Sequence, residues 1–394
     1  QTLLQVFNAG VEGSILILAA QYWGKRDTAS IRKIVAIGMR FSVAVGLLLT
    51  LVCALLPRQV ISLFAPDEGI VGTGSEYLGI VCFSYVFFCI TQSFIAGLRS
   101  VEVARIGLYV SLCSLFTNIF LNYCLIYGKL GFPEYGVAGA AIATLIARVV
   151  ETTIITLYVF LYDKRLGFRP RDLLSSDRLL LGDLIRYGLP ILAGQLVWAV
   201  NTMVSSAIMG RQSEEGSVAA MSIAQTINSL AYVCMNGMSG AVGIITGKTI
   251  GAGREDKMRE YSKTVQIIFL LLGIFTGLTL YLLRDSFISL YDVSEAAVSE
   301  AVKYINVIAV TMVGTCYQVS VLFGLVKSGG DISFVFKNDS FFVFVVVLPS
   351  AIIATLLHAP AWVVFACLKC DQILKCFVAI IKVNRYNWMK NLTR

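Results

Sequence analysis

The chain has 394 residues and a formal net charge of +8, with 57% hydrophobic and only 14% charged residues. A soluble domain carries roughly 25% charged residues, so the composition excludes a soluble globular protein. Long contiguous apolar runs, instead of short alternating segments, exclude a membrane β-barrel, and the surplus of Lys and Arg reads as one face of a polytopic membrane protein and not as a nucleic-acid surface.

The first expected membrane segment, 3–23, lies in QTLLQVFNAGVEGSILILAAQYWGKRD; it carries one carboxylate, Glu12, and closes at Gly24, Lys25 and Arg26. Ten more follow at 34–56, 77–98, 106–127, 136–162, 184–208, 218–247, 264–283, 304–326, 334–357 and 361–381. A helix needs about 20 residues to cross the hydrocarbon, and these lengths fit with some tilt. Counting the loops and tail together, alternate connections hold 23 Lys and Arg, whereas the others hold only Arg58, Lys129, Arg211, Arg284 and Lys303. The positive-inside rule then places Arg394 on the cytoplasmic side of the cell (inner) membrane and Gln1 on the outer side.

An internal repeat is visible. Gly13 and Gly240, Gly24 and Gly251, and Gly97 and Gly324 all lie 227 positions apart, each pair in a comparable apolar context. Matches in two separate stretches at one offset argue for a duplicated unit. The offset pairs the first five segments with the last five. The sixth then lacks a partner unless a further helix precedes Gln1. The expectation is an all-α polytopic protein with eleven visible helices of twelve, in two six-helix lobes. Residues 1–162 form the N-terminal lobe, 163–183 a cytoplasmic linker, 184–381 the C-terminal lobe and 382–394 a cytoplasmic tail.

Ionisable side chains inside a membrane are costly and are functional candidates. The acids in the apolar runs are Glu12, Glu151, Asp339 and Asp371; the bases are Arg148, Lys369 and Lys375, with Arg40 nearer an end. Arg148 and Glu151 (i, i+3) and Asp371 and Lys375 (i, i+4) can pair along one helix face. They are structural ion pairs or sites for a proton or cation. Glu12 has no partner on its own helix, so it bonds to a neighbouring helix or couples transport to a cation. Asp339, beside Lys337, reads as a solvated helix end. Asn118 and Asn122 face one way, and Gln195, Asn201 and Gln318 add further amides that glue helices or line a wet cavity. Pro190 and Pro349 can kink helices. The ten Cys fall in apolar runs, Cys367 and Cys370 form a lone CxxC, and His358 is the only His. These fit free thiols and no metal centre. No phosphate loop or nucleophile–His arrangement indicates an enzyme.

ILAAQYWGKRD (17–27), AGLRSVEVARIG (96–107), NIFLNYCLIYGKLGFPEYGVAGAAIATLIARVVE (118–151), RYGLPILAGQ (186–195), KSGGD (327–331) and the tail LKCDQILKCFVAIIKVNRYNWMKNLT (368–393) together resemble the multidrug and toxic compound extrusion family, MATE. The resemblance runs nearly end to end. It implies two six-helix lobes around a central cavity, with Gln1 near the start of the second helix. It implies export of amphipathic, often cationic drug-like molecules in exchange for H⁺ or Na⁺, by alternating access. One branch of the family uses an Asp on the first helix, which is not present here; the position of its partner acid is Asn122. Another uses a Glu and an Asp where this chain has Trp198 and Thr315. Glu12, Glu151 and Asp371 are therefore candidates for substitute coupling carboxylates, and Asn118, Asn122, Gln195, Trp198, Asn201 and Gln318 the cavity candidates. The expectation is a monomer with no cofactor beyond the coupling ion, in contact with lipid and not with nucleic acid. The rivals are a lipid-linked saccharide flippase of related fold, which would favour several mid-membrane bases, and a polytopic protein without transport activity.

Overall fold

The computed structural model describes residues 2–62, 67–211, 217–291 and 293–393, and every regular element among them is helical. Gln1, expected on the outer side, lies outside the described residues. In order the helices are α1 (Thr2–Gly24), α2 (Thr28–Leu55), α3 (Pro57–Ser62), α4 (Glu68–Val81), α5 (Ser84–Ser100), α6 (Arg105–Ile126), α7 (Gly136–Leu157), α8 (Arg178–Gly210), α9 (Ser217–Gly251), α10 (Glu255–Ile288), α11 (Glu295–Val319), α12 (Ile332–Phe341), α13 (Leu348–Leu356), α14 (Ala361–Lys369) and α15 (Asp371–Asn384). π-Helical turns extend α7 over Tyr158–Tyr162 and α11 over Ser320–Lys327, and join α12 to α13 over Phe342–Val347.

Among the described residues nine helical stretches are long and apolar enough to cross a membrane, and ten if α4 and α5, bent by 50°, form one span. The first ten expected segments each fall on one of these. The eleventh, 361–381, is divided at Cys370 into α14 and α15, each shorter than a span. Lys369, Asp371 and Lys375 crowd this break. Pro349 sits in the first turn of α13, directly after a π-turn. Its missing N–H and its ring disturb the preceding turn, and a π-turn absorbs such a defect without ending the helix.

The repeat is written into the helix boundaries. α1 and α9 end at Gly24 and Gly251, and α2 and α10 begin at Thr28 and Glu255. α5 and the π-extended α11 end at Ser100 and Lys327, and α6 and α12 begin at Arg105 and Ile332. All four pairs are 227 apart.

The chain divides into two compact units, Gln1–Leu192 and Ala193–Arg394, with the division inside α8. In the first unit α1, α2 and α5 pack on one another, and Gly97 lets α5 approach α2 so closely that an added Cβ would lie 2.7 Å from Val35. The 163–177 stretch is strapped to this unit. Arg32 pairs with Asp172 at 3.4 Å, Lys33 pairs with Asp177 at 3.3 Å, and Arg40 donates to the Ser175 carbonyl. In the second unit α11 is the buried axis, with Tyr304, Ile305, Ile308, Met312 and Cys316 in its core. α10 lies on it through Gly273 and Gly277, whose Cβ positions would meet Val313 and Ala309 at under 3 Å. This small-xxx-small stripe allows backbones to approach closely in a membrane.

Candidate functional site

Buried charge is concentrated differently in the two units. In the first unit α5 carries Arg99 in its last turn, and its Nη1 lies 3.3 Å from Glu12 Oε1 on α1. Glu12 thus has a partner on a neighbouring helix; Arg99 reads from sequence as a loop base. On α7 Arg148 Nη1 lies 2.6 Å from Glu151 Oε2, with Glu151 almost fully buried. The guanidinium also sits over the Phe88 ring at 5.0 Å, and the Ser114 hydroxyl donates to Glu151 at 3.5 Å. Asn122 Nδ2 donates to Asn118 Oδ1 at 3.0 Å, so the two amides share one face of α6 and bond to each other.

The second unit holds a denser cluster. Lys375 Nζ on α15 lies 2.9 Å from Asp371 Oδ2, one turn away, and 2.9 Å from Asp339 Oδ1 on α12. Lys375 and Asp371 are buried, and the Asp339 side chain is only 18% exposed. Asp339 is therefore not the solvated helix end read from sequence. It lies inside the helix bundle because the π-turns on either side of α12, Ser320–Lys327 and Phe342–Val347, pack against α15 and bring its carboxylate to Lys375. The cluster extends through amides. Gln372 Nε2 donates to Asp371 Oδ1 at 2.8 Å, and Gln318 Nε2 on α11 donates to Gln372 Oε1 at 2.9 Å. Gln318 itself is buried. The Lys375 ammonium lies 5.8 Å from the Phe342 ring centre, and Tyr232 on α9 is within electrostatic range of both carboxylates. Lys369 lies over the Phe365 ring at 5.8 Å and forms no ion pair among the described residues.

Two carboxylates around one ammonium give these three groups one excess negative charge when all are ionised, with Lys369 within electrostatic range of Asp371 and Lys327 within range of Asp339. Burying an ion costs several kcal/mol after relaxation. Lys375 and Arg148 are themselves 227 positions apart. Each unit thus carries a base at the equivalent place, but only the second surrounds it with two acids.

The remaining cavity candidates, Gln195, Trp198 and Asn201, lie on α8 and form no hydrogen bond with this cluster among the described residues. Trp198 is 62% exposed. No group of three or more His, Cys, Asp or Glu with metal-binding geometry occurs among the described residues.

At the basic end of the second unit, outside the spans, Asp331 bridges Lys382 at 2.7 Å and Lys390 at 2.8 Å. Burial pushes its carboxyl up, but the two ammonium groups outweigh this and hold it below the usual carboxylate range. Beside it Trp388 is fully buried against Gly329, and the Lys390 N–H donates to the Gly329 carbonyl at 2.8 Å. Nothing in the local sequence spacing brings the tail to this loop. The only hint is an apolar Trp amid the polar tail.

A sequence profile of the MatE family matches residues 2–124 and 190–353. A probable multidrug resistance protein NorM of Thermotoga maritima is 27% identical over 297 residues, 73% of this chain and 62% of that protein. A second probable NorM, of Photorhabdus laumondii, is 29% identical over 360 residues, 87% of this chain and 76% of that protein. The chain thus spans under two thirds of the Thermotoga relative's length. A solved structure of a MATE protein in complex with MaL6 superposes with a TM-score of 0.87, covering 98% of this chain and 86% of that one at 20% identity. That likeness concerns the fold.

Proposed function

The chain belongs to the MatE family of multidrug efflux transporters, and from that premise we propose that it exports amphipathic organic cations in exchange for protons, with the Asp339–Lys375–Asp371 cluster as the coupling site. The observation that carries this reading is the position of Lys375, 2.9 Å from each carboxylate. Its ammonium already fills the place a bare Na⁺ would take between the two acids. What such a site can still accept is a proton on one carboxylate, which cancels the excess negative charge. Loss of that proton restores the charge and favours a cationic substrate in the same unit. An ionisable cluster buried in a membrane span, with no water-soluble role, suits this work.

Glu12 and Glu151 fit less well, because each faces a guanidinium. Protonating either would leave a half-buried guanidinium unpaired in place of a neutral pair. They act as positioning groups that hold α1 to α5 and fix Arg148. Asp371, among the three expected carboxylates, keeps the coupling role and gains Asp339 as a partner. Further parts of the reading are a monomer in the cell membrane, with the tail and the basic loops on the cytoplasmic side. The test is uptake of a fluorescent organic cation into everted vesicles carrying the full-length protein. Asp371→Asn and Asp339→Asn abolish proton-driven uptake on this reading; unchanged uptake in both contradicts it.

A further inference from the structure

A groove of about 520 Å³ runs between α10, α11 and α15 of the second unit. That volume is within the roughly 300–1,000 Å³ of small-molecule sites. Its walls are apolar: Ile267 and Leu270 on α10, Val310 and Val313 on α11, Ile373 and Ile380 on α15. Several of these side chains are open to the surroundings, Val310 at 66% and Ile267 at 60%. Gly314 removes one side chain from the α11 wall and lets α15 approach its backbone closely. At about 1.5 Å rise per residue, the stretch from Val310 to Tyr317 is roughly 10 Å long.

One end of the groove is polar and the other is not. The Tyr317 hydroxyl lies 2.6 Å from Gln266 Oε1, and Gln266 Nε2 donates to Asn384 Oδ1 at 3.4 Å. Beyond this end the same stripe of α10 turns basic. Lys263 and Arg259 precede Gln266 by three and seven residues, which places all three on one helix face. Lys263 is exposed and makes no ion pair among the described residues, while Arg259 is held over the Tyr386 ring at 5.3 Å. An apolar slot, a hydrogen-bonding rim and two cations follow one another along the helix in the order of a lipid's chain, ester region and headgroup.

We propose that this groove binds an anionic phospholipid, with one acyl chain along α11 and the phosphate at Lys263 and Arg259. The site stands apart from the Asp339–Lys375–Asp371 cluster and does not depend on which ion drives transport. A zwitterionic lipid has the same chain but gains little from the two cations. Each basic side chain near an anionic headgroup contributes about fivefold in binding.

Native mass spectrometry of the purified full chain, delipidated and then offered phosphatidylglycerol or phosphatidylcholine with identical acyl chains, tests the assignment. The expected result is severalfold greater retention of phosphatidylglycerol. Lys263→Gln combined with Arg259→Gln removes that preference, and Leu270→Trp lowers retention of both lipids by filling the slot. A second readout sits on the open wall of the groove: in Ile267→Cys, added phosphatidylglycerol slows labelling of the new thiol by N-ethylmaleimide, followed by peptide mass. Equal retention of the two lipids, an undiminished preference in the double variant, or labelling at position 267 that ignores lipid overturns the proposal. So does a dimer that shields position 267 without lipid.

Discussion

Lys375 separates two carboxylates, Asp339 and Asp371, inside the second unit. Lys375→Met leaves like charges facing each other and should destabilise the protein by about 3–5 kcal/mol, the usual cost of stripping one partner from a buried pair. Asp371→Asn instead leaves one acid for one base. It should cost far less in stability while removing coupling. Thermal unfolding in detergent, read beside transport, separates the two; equal destabilisation would remove Lys375 from the centre of the cluster. Asp331 makes a second prediction at this scale. Its folded pKa is depressed, so its contribution to holding the tail is complete above the unfolded value of about 3.9. That contribution is lost as pH falls through the folded value. Protease cleavage within the 385–393 tail should therefore accelerate only in that acid window. In Asp331→Asn it should already be fast at neutral pH; a tail equally resistant in both proteins would contradict the latch.

Helices meet where glycines permit it, and this gives a prediction about elements. Gly277 faces the Ala309 carbonyl so closely that an added Cβ would lie 2.5 Å from it, whereas Gly194 and Gly237 have open space around them. Gly277→Leu should force α10 off α11 and sharply reduce the yield of folded protein on size-exclusion chromatography. Gly237→Ala should be tolerated. Similar yields for both would contradict the close approach. Helix ends were the most legible elements in the sequence, because an apolar run closing on Gly and a base marks a membrane border. The repeat made them doubly legible, since α1 and α9 stop at Gly24 and Gly251. The break at Cys370 was not legible, because hydropathy averages over the charges that cluster there. Arg148–Glu151 and Asp371–Lys375 could be read from spacing, since both partners sit on one helix. Arg99 with Glu12, and Asp339 with Lys375, could not, because each pair joins helices whose contact no local pattern encodes. Asp339 shows the cost of that limit. Its neighbour Lys337 suggests a wet helix end, and only the packing of the flanking π-turns on α15 reveals its burial.

At the scale of the whole chain, duplication explains why both units carry a base at one equivalent position, and divergence explains why one base faces a single acid and the other two. Arg148 is matched by a single acid and Lys375 by two. The resemblance to the family sets its usual acids at the positions of Asn122, Trp198 and Thr315, and the coupling site proposed above draws its charge from α12 and α15 instead. The central claim is proton coupling through that cluster, and the measurement that tests it most directly is ion-gradient-driven transport in proteoliposomes made from the full-length protein. An imposed proton gradient should drive accumulation of an organic cation and an imposed Na⁺ gradient should not, with the proton-driven component lost in Asp371→Asn. Accumulation driven by Na⁺ alone, or proton-driven accumulation that survives Asp371→Asn, would contradict it.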